Sequence, residues 1–301
     1  NTAMGLVANG VNTLPSFTAL NGTGTPVTST INVTPIFVNA GVTCTGTQDQ
    51  ITITVNPTPI VNDPADQVLC NQSQTAAVNF SGTATQYVWT NSTPSIGLAA
   101  SGSGNILAFT ALNSGSSPVT ATIEVTPQYV GSGASCPGSP QSFSFTVNPT
   151  PSVVDPANQT ICNGASTTQV SLVGTATNYS WTNNNPSVGL AATGNGNILS
   201  FTATNSSTTP VIAQVTITPQ FLGSAISCPG TAQTMTFTVN PTPSLSAPAA
   251  QVVCNNSQTP AVNFSGSGTS YNWINSLPSV GLAASGSGNI SSFLAVNNSS
   301  V

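Results

Sequence analysis

Six cysteines are the most reactive side chains of this 301-residue sequence, and they recur at a fixed spacing. They form two series that each advance by 92 residues, one containing Cys44, Cys136 and Cys228 and the other containing Cys70, Cys162 and Cys254. Cysteines kept at a regular spacing favour disulfides over free thiols if the chain is exported to an oxidising compartment. A thiolate metal site is disfavoured because no copy has a C-x-x-C pair or a histidine.

Charged side chains are almost absent. The chain has no Lys, Arg or His and five acidic residues, which give a formal net charge of -5. Without imidazole or amine groups, a serine-hydrolase triad and lysine-based catalysis are excluded, and no cation is present to neutralise nucleic-acid phosphates. We therefore predict no enzymatic activity, no cofactor and no nucleic-acid partner.

The acidic residues do not repeat as a metal site would. Asp63 and Asp66 are the only close pair, and calcium is bound in proteins by carboxylate and carbonyl oxygens. The equivalents one and two periods later are Asp155 and Asn158, then Ala247 and Ala250. A ligand set that disappears between tandem copies predicts no repeating metal site. Glu124 and Asp49 also have neutral equivalents, so we interpret them as solvated surface positions.

A tandem repeat of 92 residues organises the whole chain. Each copy ends in the tetrapeptide NPTP, whose prolines hold the backbone extended and mark junctions at Pro57, Pro59, Pro149, Pro151, Pro241 and Pro243. The junctions predict repeat I (1–57), the C-terminal part of a module, and two complete modules, repeat II (58–149) and repeat III (150–241). Repeat IV (242–301) is the N-terminal part of another. We expect this to be a window on a longer polypeptide.

Within a repeat, the periodicity is that of short strands. Alternating, Thr-rich segments separated by Gly, Asn, Ser and Pro predict about seven strands and no helix. In repeat II they are Gln67–Leu69, Ala77–Ser81, Tyr87–Thr90, Ile96–Ala99, Ile106–Thr110, Val119–Val125 and Phe143–Val147. This count predicts an all-β fold of tandem immunoglobulin-like sandwich modules, strung as a rod.

One aromatic pair recurs in repeats II, III and IV. Tyr87 and Trp89 lie two residues apart and therefore share one face of a strand, which predicts core packing. The equivalents are Tyr179 with Trp181 and Tyr271 with Trp273. A tryptophan platform for sugars is the less favoured interpretation.

Two cysteine pairings remain open. In a seven-stranded sandwich, Cys70 and Cys136 would lie at opposite ends, some 25–35 Å apart, whereas a disulfide needs its Cα atoms within about 7 Å. That distance favours a Cys70–Cys228 bond between repeats. Bonds within repeats, Cys70–Cys136 and Cys162–Cys228, remain the alternative if the loop Gly131–Pro140, which contains Cys136, folds back. Joining Cys44 to Cys70 would span most of two repeats and is disfavoured.

Several phrases resemble a known family. TVNPTP, PANQTICNGA (156–165), YSWTNNNPSVGLAATGNGNI (179–198) and ITPQFLGSAISCPG (217–230) resemble the PKD-like repeats of giant cell-surface adhesins of Bacteroidetes, including flavobacterial gliding-motility adhesins. The resemblance covers the whole chain. It implies type IX secretion, an extracellular stalk attached to the outer membrane through regions outside this sequence, and adhesion to surfaces or polysaccharide without catalysis.

The predicted partners follow from this interpretation. They are neighbouring repeats of the same chain and laterally associated copies, because the sheet edges lack lysines that would prevent pairing. No run of 18 apolar residues is present, so no membrane span is predicted. Two alternatives are a glycan-binding repeat that uses the loops Asn113–Pro118 and Gly131–Pro140, and a filament subunit assembled by strand exchange.

Overall fold

The structure, a computed structural model, describes residues 2–131, 133–223 and 226–299. In these residues the regular elements are β-strands and four short 3₁₀ helices, at Thr2–Met4, Pro94–Ile96, Pro186–Val188 and Pro278–Val280. The described residues contain no α-helix. The fold is all-β, with β-sandwich layers of the immunoglobulin-like type.

Repeat I contributes two separate strand pairs. Its strands are β1 (Val27–Val33), β2 (Ile36–Asn39), β3 (Val42–Thr45) and β4 (Asp49–Val55). Strands β1 and β4 are antiparallel, and β2 and β3 form a hairpin in which Phe37 lies opposite Cys44. All eight hairpin strand residues are exposed.

Repeat II builds a six-stranded sheet. Its strands are β5 (Gln67–Cys70), β6 (Gln86–Asn91), β7 (Ser101–Ser103), β8 (Val119–Gly131), β9 (Ala134–Pro137) and β10 (Gln141–Asn148). The order is β5-β10-β8-β6-β7, with β9 paired to the end of β8, and only β5 and β10 are parallel. Successive side chains of β8 point to opposite faces of the sheet. Ala121, Ile123 and Val125 therefore share the core face and are fully buried, whereas the polar residues between them face outward.

Repeat III has the same topology. Its strands are β11 (Gln159–Cys162), β12 (Asn178–Asn183), β13 (Thr193–Asn195), β14 (Val211–Leu222), β15 (Ser227–Pro229) and β16 (Gln233–Asn240), in the order β11-β16-β14-β12-β13 with β15 on β14. Repeat IV contains one pair, β17 (Asn272–Ile274) with β18 (Ser285–Ser287).

Opposite each six-stranded sheet lies a second layer without continuous strands. In repeat II it is joined by isolated bridges such as Gln74 with Thr110 and Val78 with Ile106. Side-chain hydrogen bonds take the place of some backbone hydrogen bonds in this layer. For example, the Phe109 amide donates to Thr75 Oγ1 at 3.0 Å. The two layers enclose a hydrophobic core in each complete repeat, and the two cores are separate clusters.

The predicted strand at Ile96–Ala99 is wrong. Pro94 begins a 3₁₀ helix there, and Gly97 ends it with φ +98°. Proline suits the first turn of a helix and glycine suits this left-handed position, so the segment turns instead of extending. The segments predicted at Ala77–Ser81 and Ile106–Thr110 form bridges only. In the described residues each complete repeat thus has six strands, including two short ones, β7 and β9 in repeat II, that the sequence did not predict.

The chain divides into two compact units. One comprises Asn1–Ser152, Thr175–Thr177 and Gln220–Gly230, and the other comprises Val153–Gly174, Asn178–Pro219 and Thr231–Val301. The end of β14 and all of β15 therefore belong with the first unit. No helix in the described ranges is long and apolar enough to cross a membrane.

Candidate functional site

A disulfide between Cys70 and Cys228 joins repeat II to repeat III. Their Cα atoms are 5.5 Å apart, and the bond spans 158 residues of sequence. Cys70 ends β5 and Cys228 lies on β15, where only 1% of it is exposed. The sequence left two pairings open, one between repeats and one within repeats, and the structure has the pairing between repeats. The thiols of Cys44, Cys136, Cys162 and Cys254 are free.

The alternative bonds within repeats do not form. Cys70 follows the edge of the sheet near the start of β8, because its neighbour Leu69 pairs with Val147, which pairs with Val119. Cys136 lies opposite Tyr129, ten residues further along β8, which is about 33 Å at 3.3 Å per residue. The same geometry separates the other proposed pair, Cys162 and Cys228.

The hairpin that carries Cys228 lies against Asn148, the first residue of an NPTP junction. Asn148 is 2% exposed, and a Cβ placed on Gly223 would lie 2.5 Å from its Nδ2. Glycine therefore permits this close approach. At the preceding junction, Asn56 Nδ2 donates to the Gly131 carbonyl at 2.9 Å. The sequence analysis missed this role because it used only the prolines of NPTP, although the asparagine recurs in all three copies.

The junction prolines differ in burial. Pro57, Pro59, Pro149 and Pro151 are buried, Pro241 is half-buried and Pro243 is exposed. At the first junction the approach is close, because a Cβ on Gly138 would overlap the Pro59 carbonyl. The first two junctions are thus packed against a hairpin of the following repeat.

The three tryptophans pack over glycines of the neighbouring strand. Trp89 and Trp181 are 8% and 7% exposed, and they lie opposite Gly102 and Gly194. Trp273 is half-buried and lies opposite Gly286. The burial of Trp89 and Trp181 leaves little of either indole ring exposed for stacking on a sugar.

We expect Gly194→Ala to lower the free energy of unfolding of repeat III by about 2 kcal/mol, the usual cost of overpacking a core. The added Cβ would overlap the Trp181 ring, which has no room to move in a buried position. Urea unfolding followed by tryptophan fluorescence measures this. Gly22→Ala is the control, because nothing lies within 4 Å of its Cβ position; equal stability of both variants would refute the packing role.

The tyrosines of the aromatic pairs are less buried than the tryptophans. Tyr87, Tyr179 and Tyr271 are half-buried, and the Tyr87 ring centroid is 5.5 Å from that of Phe80. Burial raises the pKa of the Tyr87 phenol above its ordinary value of 10.0. Because folding favours the neutral phenol, this contribution to stability is present below pH 10 and is lost as the pH rises above it.

The acidic pair does not form a ligand cluster. Asp66 Oδ1 accepts from the Ser144 amide at 2.6 Å and from its hydroxyl at 2.9 Å. In repeat III the equivalent Asn158 Oδ1 accepts from the Thr236 amide at 2.7 Å. Because the uncharged Asn158 side chain accepts the same backbone hydrogen bond, this position does not need a carboxylate. Its role is to hydrogen-bond to the neighbouring strand. In the described part of the chain no three His, Cys, Asp or Glu residues are grouped to hold a metal ion.

The first loop considered for glycan binding, Asn113–Pro118, is held by hydrogen bonds to its own backbone and to β10. Asn113 is 5% exposed and its Nδ2 donates to the carbonyls of Ser117 at 2.9 Å and Val147 at 2.7 Å. The second loop, Gly131–Pro140, is largely the hairpin between β8 and β9. Its residue Ser132 lies outside the described residues.

Comparison with known proteins gives structural likeness only. No family model matches the chain, and no curated protein matches it. Among solved structures it is similar to the human desmocollin-1 ectodomain, with TM-score 0.37 and 11% identity over 84% of this chain and 58% of that one. It is also similar to three domains of mouse protocadherin-24, with TM-score 0.36 and 14% identity over 80% and 88%. The insect immune protein hemolin gives TM-score 0.31 and 13% identity over 69% and 56%.

Proposed function

We propose that this chain is part of the repetitive stalk of a secreted, surface-anchored bacterial adhesin, and that its role is mechanical. The observation that carries the proposal is the Cys70–Cys228 disulfide between successive repeats. A bond of this kind holds two folded repeats together when the chain is under tension.

The route of force through the chain follows from its covalent connectivity. Tension applied at the two ends passes through the disulfide and bypasses the segment between Cys70 and Cys228, whose sequence separation is 158. Covalent bonds do not yield at forces that unfold β-sandwiches. Most of repeats II and III is thereby protected from mechanical unfolding.

The same bond supports an extracellular location. Disulfides persist in oxidising, extracellular environments and are rare in the cytosol. Together with the resemblance to Bacteroidetes adhesin repeats, this supports an extracellular stalk, exported by type IX secretion and attached to the outer membrane through regions outside this sequence. Gliding or surface attachment is the activity that such a stalk would serve, without catalysis.

An antiserum against the chain tests this proposal. We expect it to label intact cells of the source bacterium and to detect a polypeptide far above 30.0 kDa on a boiled, reducing gel. The control is an antiserum against an intracellular protein, which must not label intact cells. Labelling only after lysis, or a reduced band near 30.0 kDa, would contradict a giant surface stalk.

A further inference from the structure

The joint between repeats II and III has a noncovalent part that recurs at the preceding junction. Asn56 occupies the position in repeat I that Asn148 occupies in repeat II, and its Nδ2 donates to the Gly131 carbonyl at 2.9 Å. Gly131 is in turn the equivalent of Gly223, which lies against Asn148. The β8–β9 hairpin therefore docks on the end of repeat I as the β14–β15 hairpin docks on the end of repeat II.

Docking of the hairpin does not require the disulfide. Cys136 lies on the docked β8–β9 hairpin, where it is half-buried and its thiol is free. The equivalent Cys228 is 1% exposed in the bonded joint, whereas the equivalent Cys44 is exposed on the β2–β3 hairpin. Packing of the hairpin against the junction thus places its cysteine at the interface whether or not a bond has formed.

The other half of the joint recurs at Cys162. This cysteine lies in register with Asn240, the asparagine of the next NPTP junction. In repeat II, Cys70 has the same register with Asn148. The amide of Asn163 donates to the Asn240 carbonyl at 2.8 Å, and the equivalent hydrogen bond in repeat II is 2.9 Å. Repeat III thus has the same cysteine and the same junction asparagine that receive the hairpin in repeat II.

A side-chain contact fixes the start of the next repeat beside this cysteine. The asparagine that follows the cysteine donates from Nδ2 to the threonine of NPTP. The distance is 3.0 Å from Asn71 to Thr150 and 2.9 Å from Asn163 to Thr242. Because the next repeat begins from the same place in both cases, its hairpin returns to the same cysteine.

We propose that the Cys70–Cys228 bond is one case of a rule for the whole repeat: the first cysteine of each repeat bonds to the second cysteine of the repeat that follows in the same polypeptide. Cys162 is then the crosslinking site for a following repeat, and Cys136 is the site for a preceding repeat. The rule rests on the geometry of the joint and does not depend on the adhesin role.

Under this rule, the loops that the disulfides close overlap along the chain. The bond from Cys162 begins inside the loop that Cys70 and Cys228 close, so consecutive loops share a segment. The two cysteines at opposite ends of a repeat have separate partners, one in each direction. Each complete repeat is thereby bonded to both of its neighbours.

The covalent step is thiol–disulfide exchange with a small-molecule disulfide such as oxidised glutathione. The thiolate of the first cysteine attacks the oxidant and releases one glutathione thiolate as a mixed disulfide forms. The thiolate on the docked hairpin then attacks the sulfur of that first cysteine and releases the second glutathione thiolate. Two protein thiols lose two electrons and two protons, and one oxidised glutathione becomes two reduced molecules.

A chain with one repeat added tests the rule. It carries a second copy of residues 150–241 inserted after Pro241, and it is refolded in a glutathione redox buffer beside the unaltered chain. The unaltered chain has one disulfide and four free thiols. We expect the longer chain to have two disulfides and still four free thiols, counted with a chromogenic thiol reagent in denaturant. Six free thiols, or a second bond within the added repeat, would overturn the rule.

Two single substitutions in this longer chain identify the partners. Cys162→Ser in the first copy of repeat III removes one half of the new bond, so we expect a single disulfide. Cys254→Ser is the matched control, because this cysteine has the same position in repeat IV and no complete repeat follows it in this chain. Both disulfides are expected to remain in the control. Two disulfides in the Cys162→Ser chain, or one in the Cys254→Ser chain, would show that the pairing differs from the rule.

Peptide mapping of the natural polypeptide, digested at acid pH without reductant, tests the rule between natural repeats. A peptide that links Cys162 to the second cysteine of the following repeat supports it. A free Cys162 thiol, or a bond from Cys162 to another chain, contradicts it. Either of these results on a protein that still labels at the cell surface would reject the rule and leave the proposed stalk function standing.

Discussion

Replacing Phe237 by alanine is expected to destabilise repeat III by about 4 kcal/mol, the loss typical of deleting a fully buried aromatic ring. Phe237 is completely buried, and its ring meets that of Phe201 at a centroid distance of 5.1 Å. Because the cores of repeats II and III are separate clusters, the damage is expected to stay in repeat III. Hydrogen exchange with mass spectrometry, resolved by peptide, measures both repeats in one experiment.

Leu199→Ala is the matched control in the same repeat. Leu199 is 69% exposed, so its truncation is expected to change stability by no more than about 0.5 kcal/mol. Equal loss of protection in repeats II and III of the Phe237→Ala chain would contradict separate cores, because it would show that both repeats unfold as one unit.

Breaking the disulfide is the second large effect. In the chain-entropy description, a closure of 158 residues restricts the unfolded chain by about 5 kcal/mol, at the upper end of the range measured for disulfides. We therefore expect Cys70→Ser to lower the urea midpoint markedly and to abolish the dependence of that midpoint on reductant.

Cys162→Ser serves as the control for the thiol itself. It removes an exposed cysteine of the same series in the same strand context, but no bond. Its urea midpoint is expected to equal that of the unaltered chain. A Cys70→Ser chain as stable as this control would mean that the bond between repeats does not constrain the chain.

Strand periodicity predicted the central sheet well. The alternation in Val119–Val125 gave the core of β8, and Phe143–Val147 gave β10. The predicted strand ended at Val125, whereas β8 extends past Pro127, a residue that cannot donate a ladder bond. In the structure Pro127 lies opposite Tyr87 and the strand continues to Gly131, since β6 and β9 supply partners on either side.

The joint between repeats could not be derived from one repeat alone. Whether Cys70 reaches Cys136 or Cys228 depends on where the end of β14 turns back as β15, which is set by tertiary packing around Asn148 and Gly223. No local pattern of side chains encodes that position. The distance between strand ends favoured Cys228 without excluding Cys136, and the asparagine that recurs in NPTP is a further signal that the sequence analysis did not use.

Single-molecule stretching of the chain, with and without reductant, tests the central claim most directly. With the disulfide intact, the segment between Cys70 and Cys228 cannot extend. Reductant is expected to add up to about 550 Å of extension, from a separation of 158 residues at about 3.5 Å each. Extension that is the same in both conditions would contradict a stalk whose repeats are joined by a load-carrying disulfide.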